Sequence, residues 1–231
     1  MPDDYSLRIN PQTIRHQVEA RLRDAIVSGR FLPGEHLSDR LLCELFGVSR
    51  GVIREAVRLL EAEGLVVVQP NRGPFVAWLS PAEANQVFEV RAVLEALAGR
   101  SFAERASEEE IAELRAVFEE IAAVGSGADR LVLLGLKKQF YDVLLRGARN
   151  PYAARMLDQM LSRISQLRAT SLSAPSRLPD TVAEIRRIVE AAERRDGEGA
   201  WRACREHVLR AAEVALRILN DKVAGASRPH T

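Results

Sequence analysis

Residues 37–73 constrain the fold of this chain more than any other stretch. Their pattern predicts a short helix, a tight turn at Phe46-Gly47-Val48-Ser49, a second helix and then a β-hairpin. In the second helix Arg50, Arg54 and Arg58 recur at i, i+4 and i+8 and share one face, while Val52, Ile53, Ala56, Leu59 and Leu60 lie opposite, where a core would take them. Three like charges in one row weaken an isolated helix by about 0.2–0.5 kcal/mol per pair. Such a row is accounted for by a polyanion lying against it, and the phosphates and guanine edges of a DNA major groove fit. The alternative is a solvated face paired with Glu55 and Glu61.

The surroundings of the row favour DNA. The turn has the spacing of a helix-turn-helix, whose second helix enters the groove by its N-terminal end. Ser49 suits the N-cap of that helix, and Arg50 sits beside its positive end. Leu65–Gln69, the turn Pro70-Asn71-Arg72-Gly73 and Phe75–Leu79 have the form of a wing with Arg72 at its tip.

On these residues the chain resembles a known family. Residues 14–80 look like the winged-helix domain of GntR transcription regulators. The match rests on Leu22-x-x-Ala25-Ile26-x-x-Gly29, Pro33-Gly34-Glu35-x-Leu37, Gly47-Val48-Ser49-Arg50, Arg54-Glu55-Ala56, Glu63-Gly64-Leu65-Val66 and Arg72-Gly73. The resemblance implies that Arg40, Arg50 and Arg54 contact bases and phosphates, supported by Ser49, Gly51, Arg58 and the wing residues Arg72 and Gly73. Family members often carry Thr-Pro or Thr-Thr after the Ser-Arg pair. This chain has Gly51-Val52, which removes a hydroxyl contact to the DNA backbone and implies a departure in the operator.

The 231 residues suffice for two small domains. Aromatics are only 5%, so Leu, Val, Ile and Ala must fill the core, and their helical spacing predicts a mostly α protein. A formal net charge of +1 gives no global support for nucleic-acid binding; attraction has to come from local placement of arginine. Cys43 and Cys204 sit in apolar helical patterns and read as free thiols in a reducing compartment. The N-terminus has no signal-peptide pattern, and no apolar run is long enough to span a bilayer, so a cytoplasmic protein without membrane contact is expected.

Pro81 marks a boundary, giving a winged helix-turn-helix domain at 1–80 and an all-α ligand-binding and dimerisation domain at 81–231. About six helices are predicted in the second domain: 82–105; one opened by the capping box Ser107-Glu108-Glu109-Glu110 and ending near Gly125; 129–146; 151–171; one opened by a second capping box, Thr181-Val182-Ala183-Glu184, to about Arg195; and a last one to about Val223. Gly125-Ser126-Gly127 reads as a loop, Ser173–Ser176 as a connector, Asp196–Gly199 as a break and 225–231 as a disordered tail. A helical bundle of this kind can hold a ligand between its helices. Val87–Ala98, then Phe140-Tyr141 with Gly147-x-x-Asn150-Pro151, resemble the effector (FCD-like) domain of the FadR-type branch of the same family.

Many effector domains of that branch hold a divalent metal through Asp-x-x-x-His and two later histidines. The corresponding residues here are Lys137, Tyr141, Ile185 and His207, so no metal and no other cofactor is expected. Lys137, Tyr141 and His207, with Arg91 on the opening helix, are the expected effector-binding residues, and they suit a small acidic metabolite. The plainer alternatives are a structural histidine, a solvent-facing Lys137, an ordinary Arg91–Glu95 pair and a pocket that has become apolar core.

The resemblance implies a ligand-responsive regulator: a homodimer that binds a pseudo-palindromic double-stranded DNA operator, commonly as a repressor. A winged-helix module that binds protein rather than DNA is the second reading, and the near-neutral charge suits it. An enzyme is the third and weakest. The chain has no His-Glu-x-x-His, no Gly-x-Ser-x-Gly and no phosphate loop, and its four histidines are scattered.

Overall fold

The computed structural model describes residues 14–124, 130–174 and 177–226. Among these, 14–26 with 31–78 form one compact unit, and 27–30 with 79–226 form the other.

The first unit contains α1 (Ile14–Val27), α2 (Asp39–Phe46), α3 (Arg50–Ala62), β1 (Val66–Gln69) and β2 (Gly73–Val76). Ser38 caps α2, its hydroxyl accepting from Leu41 N at 3.2 Å. Gly47 ends α2 in the left-handed region (φ 64°) and donates its N–H to Cys43 O. A side chain would be strained at this backbone angle, so glycine permits the abrupt turn into α3. Val18, Leu22 and Ile26 of α1, Leu42 of α2, and Ile53, Ala56, Val57 and Leu60 of α3 meet Val66 and Val76 in one core. Each fully buried side chain of this size contributes about 1.5–3 kcal/mol. Val52 and Leu59, expected in the core, are only half-buried, and Val57 takes the core position instead.

The strands pair antiparallel with Val66 opposite Val76 and Gln69 opposite Gly73. The hairpin is shorter than predicted. β2 ends at Val76: the Ala77 N–H still reaches Leu65 O in register, but the Leu65 N–H turns back to Leu60 O of α3, so the ladder closes there.

The second unit has seven described helices: α4 (Pro81–Arg105), α5 (Glu108–Ala123), α6 (Arg130–Gly147), α7 (Pro151–Gln159), α8 (Leu161–Ser171), α9 (Arg177–Glu193) and α10 (Gly197–Ala226). The long α4 and α10 pack along each other. The Ser107 capping box forms as expected, with Glu110 N on Ser107 Oγ at 3.3 Å and Ser107 N on Glu110 Oε2 at 3.0 Å. Ser80 and Glu83 make a second such box at the start of α4.

Three expectations need correction. The predicted helix 151–171 is two helices: Met160 leaves helical geometry (φ −102°, ψ 3°) and donates to Leu157 O, a tighter i→i−3 bond. No proline or glycine marks this break. The predicted capping box at Thr181 does not form, because α9 already starts at Arg177 with Pro179 tolerated in its first turn. Thr181 is buried one turn inside, and Glu184 bonds elsewhere. Asp196–Gly199 opens α10 instead of interrupting the chain, with Asp196 Oδ1 accepting from Gly199 N at 2.7 Å. The expected loop at 125–127, the end of the connector at 175–176 and the tail past 226 lie outside the described residues. No described helix is long and apolar enough to cross a membrane.

Candidate functional site

The first unit presents its arginines on α2, α3 and the wing. Arg50, Arg54 and Arg58 are all exposed on α3, opposite the buried row Ile53, Ala56, Val57 and Leu60. The expected partners do not take them. Glu55 bonds Arg15 on α1 at 3.1 Å, and Glu61 accepts from Val68 N at 3.2 Å. Arg54 Nε reaches Asp39 Oδ2 of α2 at 3.0 Å while its side chain stays 66% exposed. Arg40 pairs with Glu44 one turn along α2 and is 85% exposed. Arg50 and Arg58 have no ion-pair partner among the described residues.

Ser49 occupies the N-cap position of α3 but makes no side-chain capping bond, contrary to expectation. Its exposed hydroxyl is not committed to the helix. Gly51 is exposed, and a Cβ there would meet no atom closer than Ser49 Oγ at 3.9 Å, so the surface beside Arg50 is open.

At the wing, Asn71 and Gly73 take positive φ values of 61° and 87°. Arg72 lies over the Phe75 ring at 5.2 Å, and His36 lies 4.8 Å from the same ring. Phe75 thus holds the wing arginine beside the loop that carries His36.

In the second unit the expected effector residues lie in a buried polar cluster. Arg91 and His207 are fully buried, and Lys137 and Tyr141 nearly so. Sequence reasoning missed the charged residues that join them: Arg168, Arg177 and Glu184, with Glu95 in a role larger than that of a helix-surface partner. Arg91 Nε donates to Glu95 Oε1 at 2.7 Å, and Arg168 Nη2 reaches the same oxygen at 3.1 Å. Arg168 also stacks on the Tyr141 ring at 4.0 Å. A parallel chain runs through Glu184, which accepts from both terminal nitrogens of Arg177, at 2.9 and 2.6 Å, and contacts His207 Nδ1 at 2.6 Å. The other ring nitrogen, Nε2, lies 3.2 Å from Lys137 Nζ.

This arrangement sets the protonation states. Burial pushes the Glu95 carboxyl up, but Arg91 and Arg168 outweigh that and hold it near 2. Glu184 is held near 2 in the same way, its burial outweighed by the hydrogen bonds from His207 and Arg177. Burial, then the charge of Lys137, depresses His207 to about 3. Burial and the surrounding Arg168, Arg91 and Arg177 push Lys137 well below the usual lysine range. The carboxylate can only accept, so His207 Nδ1 carries a hydrogen. Nε2 is then the ring nitrogen with a free lone pair, and it can accept from Lys137 Nζ.

Several donors remain unmet. Arg91 Nη1, Arg168 Nε and Arg177 Nε are buried without a hydrogen-bond partner. Each such orphan costs about 1–3 kcal/mol, more when charged.

A cavity of about 660 Å³ opens between α6, α7 and α8, and Glu95, Tyr141 and Arg168 stand in its lining. Of the four expected effector residues only Tyr141 lines it. Arg91, Lys137 and His207 are not in its lining; Arg91 is held by Glu95, and Lys137 lies against His207. The residues do not fit a divalent metal. The position where the resemblance puts a carboxylate holds a lysine, whose amino group occupies the free nitrogen of His207, and Ile185 lies in the apolar core.

The family of the chain follows from comparison with known proteins. Residues 14–76 match the model for bacterial regulatory proteins of the gntR family, and residues 86–210 match the FCD domain. The HTH-type transcriptional regulator YdhC of Bacillus subtilis is 30% identical over 208 residues, covering 90% of this chain and 91% of that protein. The galactonate operon transcriptional repressor of Escherichia coli is 28% identical, over 77% of this chain and 86% of its own length. The structure of Escherichia coli McbR/YncC shares the fold, with a TM-score of 0.73 at 21% identity over 92% of this chain and all of that one. With an exposed arginine row on the second helix of a winged helix-turn-helix and an FCD domain after it in the sequence, the chain belongs to the gntR family: it is a DNA-binding transcription regulator and not an enzyme.

Proposed function

We propose that the protein is a cytoplasmic homodimer that represses metabolic genes, reads a pseudo-palindromic operator through residues 1–80, and senses a small acidic metabolite through residues 81–231 without a metal. The observation that carries the DNA half is the row Arg50, Arg54 and Arg58, exposed on α3 with two of its members free of any described ion pair. Arg50 and Arg54 enter the major groove, Arg40, Arg58 and Ser49 hold phosphates, and Arg72 with Gly73 reaches the adjacent groove. Repression is read from the relatives, one of which is named a repressor of the galactonate operon.

The acidic effector rests on charge. At one end of the cluster two guanidiniums, Arg91 and Arg168, face a single carboxylate, Glu95. One positive charge is left over, with buried N–H donors unmet, and a ligand carboxylate supplies both the charge and the acceptors. The effector acts by binding one arrangement of the dimer better than the other.

Capture of sheared genomic DNA on the purified protein tests the reading. Enrichment of a short palindrome is expected, and the Arg50→Ala/Arg54→Ala variant should retain none. Equal capture by that variant would remove these arginines from the interface. For the sensing half, small carboxylates are expected to raise the melting temperature in the presence of a chelator, and stabilisation that requires added metal would overturn it.

A further inference from the structure

The lining of the α6–α7–α8 cavity says more about the effector than its charge. Its inner end is polar: Arg168, Tyr141 and Glu95. Next to that floor the walls become apolar. Leu145 lies one turn from Tyr141 on α6, and Ile164 lies one turn from Arg168 on α8. Ala154 and Leu157 of α7 face the same space. One helical turn is about 5.4 Å, so the apolar collar is set one turn along α6 and α8 from the residues of the polar floor.

Hydroxyl groups placed in that collar would lose water without gaining partners. Methylene or aromatic groups placed there gain by leaving water. The lining also carries charge: Lys138 donates to Asp142 at 2.6 Å and Arg149 pairs with Glu110 at 2.9 Å, while Arg155 and Asp158 make no ion pair among the described residues.

We infer that the cavity takes an amphipathic monocarboxylic acid, its carboxylate on Arg168 at the floor and an aliphatic or aromatic body against Leu145, Ala154, Leu157 and Ile164. This rests on the acidic-effector reading above and narrows it, because it excludes polyhydroxy sugar acids as good ligands. The unmet Arg168 Nε supplies a donor for the carboxylate, and the acid neutralises the repulsion that Arg91 exerts on Arg168. Tyr141 stays in place as the face on which Arg168 stacks.

The experiment is calorimetric titration of the full chain with octanoate, gluconate and octanol, alongside the Ala154→Trp variant. Ala154 is only half-buried, so the indole can grow into the cavity without displacing core, and an unchanged melting curve and operator affinity verify the fold. Octanoate is expected to bind at least about 30-fold more tightly than gluconate, and Ala154→Trp is expected to remove that preference. Gluconate binding as tightly as octanoate, or octanoate binding untouched by Ala154→Trp, overturns the inference and leaves the acidic-effector reading standing. Octanol matching octanoate, or no carboxylate binding at all, overturns that reading and the inference with it.

Discussion

Arginine does opposite work in the two units of this protein. On α3 it is exposed and, at Arg50 and Arg58, left without a described ion-pair partner. In the bundle Arg91, Arg168 and Arg177 are buried, each holding a carboxylate and each still short of an acceptor. The exposed row costs little to maintain, since water solvates each guanidinium. It suits a long polyanion whose counterions are released on binding. The buried set is costly to maintain and suits a ligand small enough to follow the arginines out of water. On the proposed function the same side chain would meet a polyanion in one unit and a small ligand in the other.

This contrast is broken most directly by removing a buried carboxylate. Glu184→Ala leaves Arg177 without its anion and His207 without its acceptor, and a loss of about 3–5 kcal/mol in unfolding free energy is expected by chemical denaturation. The exposed Glu55, paired with Arg15, is the counterpart: Glu55→Gln should cost less than about 1 kcal/mol. Comparable losses at both sites would erase the distinction.

Next in size is the Arg50→Ala/Arg54→Ala variant. Operator affinity measured by anisotropy should fall about 100-fold or more, at about 1–3 kcal/mol for each base contact, with the melting temperature unchanged. A large drop in melting temperature would mean that the arginines are structural.

Acid should unfold the bundle from a well-defined direction. His207 is depressed in the folded state, so the unfolded chain takes up a proton first as pH falls below about 6.5, and stability declines from there towards about 3. Glu95 and Glu184, both held near 2, extend the decline below the ordinary glutamate value of about 4.3. Unfolding free energy followed from pH 8 to pH 3 should therefore fall steadily, and a flat profile between pH 6.5 and 4 would contradict the neutral state of His207. The smallest effect is expected from Arg58→Ala. It should reduce the slope of log affinity against log salt by about one, with little loss of sequence preference.

The sequence made the two units legible to different degrees, for a physical reason. The winged domain has one buried face per helix, so apolar periodicity, the Gly47 turn and the alternating hairpin each announce a surface. The arginine row was visible because it lies on the face that periodicity leaves over. In the bundle, α8 is enclosed on all sides, and Ile164 to Ala169 are six consecutive buried residues, Ser165, Gln166 and Arg168 among them. A helix buried all round has no polar face for a pattern to reveal, so Arg168 looked like any solvated arginine. Its one signal was an arginine set between Leu167 and Ala169 in a run short of acidic neighbours. Glu184 was hidden differently. Its spacing from Thr181 imitates a helix start, whereas its carboxylate is fixed by Arg177, seven residues upstream, and by His207, 23 residues downstream on α10.

The contact between Lys137 and His207 bears on how such a regulator is supplied. A metal-dependent sensor reports the product of two abundances, that of its effector and that of its cation, and it falls silent when the cation is scarce or exchanged for another. The amino group of Lys137 is translated with the chain, in fixed ratio to it, and cannot be scavenged. On the metal-free sensing proposed above, a cell that carries this protein would gain a readout of metabolism insulated from its metal economy.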